Sequence, residues 1–151
     1  VEIKHFIWET FSSHYLELVK NRAYNSEGKF SLEEQRGAVS TLNYCLETVL
    51  KVVSPVIPFL SYKVYMELKG EDVHGLEFPS AEKAGKTVLG TDDIAALNGA
   101  VWKAKKDAGL SLKSEVSEVV MPSIFKGVEK EIMLTHNVKK IKYGKVVGVK
   151  V

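Results

Sequence analysis

Apolar residues at Ile3, Ile7, Phe11, Tyr15 and Leu18, flanked by Trp8 and Val19, recur at helical spacing. They predict one long amphipathic helix from about Glu2 to Tyr24. The pattern stops at "NSEGK", where Asn25 and Gly28 supply turn chemistry. Ser31-Leu32-Glu33-Glu34 then reads as a capping box, with Ser31 as N-cap and Glu34 reaching back. Val39, Leu42, Leu46, Val49, Leu50 and Val53 line one face of the helix that follows, and Glu47 and Lys51 are spaced to pair on the other. Two such helices joined by a short loop are expected to pack antiparallel.

Pro55 ends that helix, because proline has no N–H and disfavours helical geometry in the residue before it. Phe59, Leu60, Val64, Tyr65 and Leu68 mark a third helix, with Gly70 as its C-terminal stop. Pro55, Pro58 and Phe59 are therefore read as a stiff structural corner, with Phe59 turned inward as its anchor. Residues 71–86 have no period and read as a loop. Thr91 is expected to cap a fourth helix carrying Asp92 and Asp93 in its first turn, Ile94, Leu97, Val101 and Trp102 on its apolar side, and Gly109 at its close.

Beyond Gly109 the pattern changes. Val116, Val119 and Val120 predict a strand, and Pro122 opens a short helix through Phe125, Val128 and Ile132. Val138, Ile141 and Tyr143 predict a second strand and the last valines a third. "YGK" between the last two reads as a hairpin turn, with Gly144 at a positive φ. The expected fold is mainly α: an antiparallel helical bundle over 1–110, then a small α+β appendage over 111–151 with a C-terminal β-hairpin.

Composition adds little. With 45% hydrophobic and 26% charged residues and a net charge of +2, the chain is an ordinary globular protein. The single cysteine, Cys45, allows no internal disulfide and fits a reducing compartment. No apolar run approaches the roughly 20 residues of a membrane span, so a cytoplasmic monomer with no membrane partner is expected. No phosphate loop, nucleophile elbow or paired-histidine zinc motif is present, so no catalytic or metal residue is assigned. The aromatic series Phe6, Trp8, Phe11, Tyr15 invites a base-stacking reading, but helical spacing favours a place in the core. Basic residues collect at Lys20 and Arg22, at Lys103, Lys105 and Lys106, and at Lys139, Lys140 and Lys142. Lysines near helix ends also have a bland dipole explanation.

Four stretches carry a resemblance. "HFIWETFSSHYLELVKNRAY", "SPVIPFLSYKVYMEL", "VHGLEFP" and "LNGAVWKAKKDAGLSLK" occur in the order in which similar segments occur in the anticodon-binding bundle of class I aminoacyl-tRNA synthetases. The valyl members in their archaeal-like form are the most similar. The chain departs from the family after Phe59, where Ser61, Tyr62, Lys63 and Tyr65 stand in place of a hydroxyl residue, two acids and a tryptophan. The family's adenylate-binding signatures and the first helix of its bundle are absent from this stretch. The resemblance implies a C-terminal, tRNA-binding segment of an aminoacyl-tRNA ligase that uses ATP and Mg in a separate catalytic domain, itself a partner of this segment. Lys20, Arg22, Lys105 and Lys106 become candidates for RNA backbone contact and Tyr24 for base stacking. An isoleucyl or leucyl relative, and a protein-interaction bundle with no RNA role, stand as alternatives.

Overall fold

A computed structural model describes residues 2–81, 85 and 89–151. The chain divides into two compact units, Val1–Phe30 with Lys86–Val151, and Ser31–Gly85.

In the first unit, helix α1 (Glu2–His5), a π-helical stretch Phe6–Leu16 and helix α2 (Glu17–Tyr24) follow one another without a gap. The wide turn is matched by two serines. Ser12 donates to the Ile7 carbonyl at 2.7 Å and Ser13 to the Trp8 carbonyl at 2.8 Å, each five residues back, the offset of a π-helix. This geometry stacks side chains four and five apart. Phe6, Phe11 and Tyr15 form a column with ring centroids 6.2 and 5.7 Å apart. The expectation that these aromatics are core residues does not hold: Phe6 is 47% and Trp8 70% exposed, and Phe11 and Tyr15 are half-buried. The period shift moves them off the buried stripe, which begins at Leu18 and Val19.

Helix α5 (Thr91–Asp107) also belongs to this unit. Its N-cap is Gly90, one residue before the expected Thr91, and the Asp93 carboxylate accepts from the Gly90 N–H at 2.9 Å. Gly109 closes it at φ +70°, and Leu110 donates back to the Lys105 carbonyl. Strands β1 (Val116–Met121), β2 (Val138–Tyr143) and β3 (Gly148–Lys150) form a sheet in the order β2-β1-β3. β1 and β2 run parallel, with Val116 opposite Val138, joined by a crossover containing helix α6 (Glu129–His136). β3 lies antiparallel on the other side of β1, with Val119 opposite Val149. The expected C-terminal hairpin is thus corrected: β2 and β3 flank β1 and do not pair with each other. Gly144 is also absent from the glycines with positive φ. It is glycine because a Cβ there would lie 2.7 Å from Val120 Cγ1.

One core joins these elements: Leu18, Leu97 and Val101 from the helices, and Val116, Val119, Met121, Phe125, Ile132 and Val138 from the C-terminal segment. The C-terminal residues supply the larger part of it. The sequence boundary at 110/111 therefore runs through a shared core and does not coincide with the division into compact units.

The second unit holds helices α3 (Leu32–Val53) and α4 (Pro58–Lys69) and a single 3₁₀ turn, Val73–Gly75. The capping box forms: Glu34 N–H donates to Ser31 Oγ at 3.1 Å and Ser31 N–H to Glu34 Oε2 at 2.7 Å. Gly70 ends α4 at φ +73°. Glu47 pairs with Lys69 of α4, in place of the expected Lys51. The loop foreseen over 71–86 lies partly outside the described residues.

α3 stops at Val53 and α4 starts at Pro58, but Phe59 does not anchor the turn between them. Phe59 is 88% exposed, and Val56, Ile57 and Leu60 beside it are exposed too. The anchors are Leu50, Tyr65 and Val73, with the Ser61 hydroxyl, wholly buried, donating to the Ile57 carbonyl at 3.0 Å. The helix phase set by Pro58 explains this: position 59 faces solvent, and positions 61 and 65, one turn apart, face inward. Phe59→Ser is accordingly expected to change unfolding free energy by no more than about 0.5 kcal/mol. Tyr65→Ala should cost about 3 kcal/mol or more. Urea titration of both variants checks the assignment, which fails if Phe59→Ser is the more damaging of the two.

Candidate nucleic-acid interface

The sequence-nominated residues scatter in role. Lys20 is half-buried and ion-paired with Glu17 one turn away. Arg22 reaches from α2 to α6, where Glu131 holds its guanidinium at 2.9 Å. Glu131 is buried, so this pair fastens α6 to α2, as does Thr135, whose hydroxyl donates to the Glu17 carbonyl at 3.2 Å. Tyr24 is 77% exposed at the end of α2, and Lys106 is exposed near the end of α5.

Lys105 is a correction. It has no exposed surface, and its ammonium donates to the Leu112 carbonyl at 2.6 Å and the His136 carbonyl at 2.8 Å. Burial pushes its pKa down. An ammonium held this way cannot reach a phosphate. It satisfies the last carbonyl of α6 and ties the loop before β1 to α5. Spacing within "KAKK" gives each lysine a similar prior. Only the placement of α6 decides which one is enclosed.

Beside Lys105 lies a polar chain. Asn98 is buried on α5, and its carbonyl oxygen accepts from His136 Nε2 at 2.7 Å. Its amide nitrogen lies 3.3 Å from His14 Nδ1. Trp102 stacks on His14 with centroids 5.5 Å apart and meets His136 edge-on at 6.1 Å. Burial, reinforced by the nearby Lys105 charge, pushes the His136 pKa down to about 4. A neutral His136 donating to Asn98 fits that shift, and the cluster ties α5 to the π-helical stretch and to α6. Among the described residues no group of three or more His, Cys, Asp or Glu side chains is placed to hold a metal ion. No described helix is long and apolar enough to cross a membrane. Cys45 is half-buried, and burial pushes its thiol pKa up, the opposite of an activated nucleophile.

Two lysines of β2 meet acids in β1 and just before it. Lys139 pairs with Glu115 at 2.6 Å, and Lys142 with Glu118 at 2.6 Å. The hydrogen bond from Lys142 holds the Glu118 carboxyl below its usual range. Much of the "VKKIKY" charge is thus matched across the sheet, a consequence of parallel pairing with β1 that the run itself does not announce.

Two hollows adjoin the end of α2. One, of about 100 Å³, is lined by Asn21, Tyr24, Asn25, Ser26, Glu27, Lys29, Phe30 and Leu134. The second, of about 330 Å³, shares Lys29 and Leu134 and continues along Lys113, Glu115, Met133, Asn137, Val138 and Lys139. The sequence pointed to Tyr24 and the β2 lysines but had no means of joining them to Lys29 and Lys113.

Comparison with known proteins bears on what this surface meets. The family described as the anticodon-binding domain of tRNA ligase matches residues 1–120. The chain is similar to the valine–tRNA ligase of Pyrobaculum aerophilum, 37% identical over 144 residues, 93% of this chain and 18% of that protein. The valine–tRNA ligase of Aeropyrum pernix is 35% identical over 139 residues, 85% of this chain and 16% of its own length. That of Archaeoglobus fulgidus is 30% identical over 136 residues, 84% and 15%. The chain spans less than a fifth of the length of these curated relatives.

Proposed function

Because the chain belongs to the family of anticodon-binding domains of tRNA ligases, we propose that it is the tRNA-binding segment of a valine–tRNA ligase. The whole enzyme would join valine to its tRNA with ATP and Mg. We assign the joining reaction to the catalytic part of such a ligase and tRNA binding to this chain. The observation that carries the reading is the family match over residues 1–120, joined to similarity to valine–tRNA ligases over most of the chain.

Lys20, Lys106 and Tyr24 are the residues we assign to RNA, the lysines to phosphates and Tyr24 to stacking on a base. Arg22 contributes through one face of its guanidinium while Glu131 holds the other. The exposed turn at Val56, Ile57, Phe59 and Leu60 is the surface we assign to contact with the catalytic part of such a ligase.

The test is fluorescence anisotropy of the chain with transcripts of valine tRNA and of isoleucine and leucine tRNAs. Valine tRNA is expected to bind best, with affinity falling steeply as salt rises. Lys20→Ala with Lys106→Ala should lower the slope of log K against log salt by about two. Arg22 is left intact, since removing it would strand the buried Glu131. Equal affinity for all three transcripts, or salt-insensitive binding, rejects the valine assignment or the electrostatic mode respectively.

A further inference from the structure

Among the described residues only two that are not glycine have a positive φ, Asn25 at +47° and Asn137 at +52°. Each ends a helix, and each uses its side chain to hold a neighbouring segment. Asn25 accepts from the Phe30 N–H at 3.0 Å and donates to the Phe30 carbonyl at 2.8 Å, closing the short loop that presents Lys29. Asn137 donates to the Lys113 carbonyl at 2.8 Å, pinning the backbone that presents Lys113. Left-handed asparagine is a common helix stop, and here each side chain also holds the backbone of the next segment. Here both instances fix lysines that line the same pair of joined hollows.

The charges there are available. Lys113 has no paired carboxylate among the described residues. Lys29 and Lys139 are paired with Glu27 and Glu115 in exposed contacts, with side chains 52% and 65% exposed. Such pairs contribute little, so an arriving phosphate can replace the carboxylates. Tyr24 stands exposed at the far end of the track. A row of held lysines ending in an exposed aromatic side chain suits single-stranded nucleic acid, whose backbone follows the charges while a base lies against the ring.

We propose that Tyr24, Lys29, Lys113 and Lys139 form a track for single-stranded RNA, so that the C-terminal β-containing segment takes part in binding as well as in the core. This rests on the tRNA-binding reading above and extends it to Lys139, beyond the matched residues 1–120. The strand lies across the end of α2, the 25–30 loop and the start of β2.

The experiment uses the whole chain, a labelled oligouridylate of about twelve nucleotides and the valine tRNA transcript. One variant carries Lys29→Ala, Lys113→Ala and Lys139→Ala. A control of equal charge loss carries Lys4→Ala, Lys126→Ala and Lys145→Ala. The track variant should bind oligouridylate at least about tenfold more weakly, with the salt slope reduced by about two, and the control should change the slope by less than about one. Tyr24→Leu should weaken binding about tenfold with the slope unchanged. Circular dichroism should show all three variants folded, since every altered side chain is exposed. If wild type binds tRNA and the two triple variants behave alike, the track is wrong and the tRNA reading survives. If wild type binds neither RNA, both fall. Polyglutamate binding as tight as oligouridylate also overturns the track, because it would mark a general anion surface.

Discussion

Replacing Lys105 with methionine is expected to lower the thermal midpoint by about 10 °C, the largest single-site effect foreseen for a lysine in this chain. Methionine fills much of the aliphatic volume, so the loss is electrostatic more than steric. The carbonyls of Leu112 and His136 lose their donor, and each buried carbonyl left unpaired costs about 1–3 kcal/mol. Against this, the variant no longer desolvates an ammonium. The balance is a loss of about 2–3 kcal/mol, a large share of the roughly 5–15 kcal/mol that holds a domain folded. Calorimetry on the variant checks it. Lys106→Met, one position along and exposed, should leave the midpoint within about 2 °C. If Lys105→Met instead weakened RNA binding with an unchanged midpoint, the enclosed clamp would be the wrong description.

Acid should destabilise the fold through His136. Its folded-state pKa is about 4, against an ordinary value near 6.5 in the unfolded chain. The unfolded state therefore takes up a proton that the native state refuses. Stability is intact above about pH 6.5, falls as pH drops through the interval, and levels off for this group below about 4. The full difference is on the order of 3 kcal/mol. His136→Gln offers an uncharged donor for Asn98 Oδ1 and removes the titration. Urea unfolding at several pH values should show wild type losing stability relative to this variant between pH 6.5 and 4. Parallel curves would mean that His136 is not enclosed as described. Protonation would also set a second positive charge beside Lys105, so the two predictions probe one buried polar cluster from opposite sides.

Local signals in the sequence survive almost unchanged. The Ser31–Glu34 capping box, the glycine stops at 70 and 109 and the break at Pro55 each depend on a few neighbouring residues, and each stands where the pattern put it. The mainly helical fold with a small β-containing end follows from the same periodicities. What went astray was non-local or depended on phase. The cap of α5 moved by one residue to Gly90 because Asp93, not Thr91, supplies the side-chain bond. Phe59 faces outward because one residue of helix phase is about 100° of rotation. The π-helical turns around Ser12 and Ser13 displaced four aromatics from the expected core.

The candidate RNA surface divides along the same line. Tyr24 was visible as an aromatic at a helix end, and the β2 lysines as a basic run. Lys105 was indistinguishable from Lys103 and Lys106 until α6 and the 108–115 loop closed over it. Lys29 and Lys113 are 84 positions apart and share a surface only because β1 and β2 lie parallel and α6 packs on α2.

By itself, then, the order of residues determined the helices, their stops, the family and the absence of the usual catalytic motifs, since each is written in short-range spacing or in recognisable words. Tertiary structure alone decided which lysine is enclosed, how three short strands pair, and which distant charges stand side by side. Burial and strand order are set by where the chain returns to itself, and that return is governed by the sum of many packing contacts, none of which is large enough to be read from a single stretch.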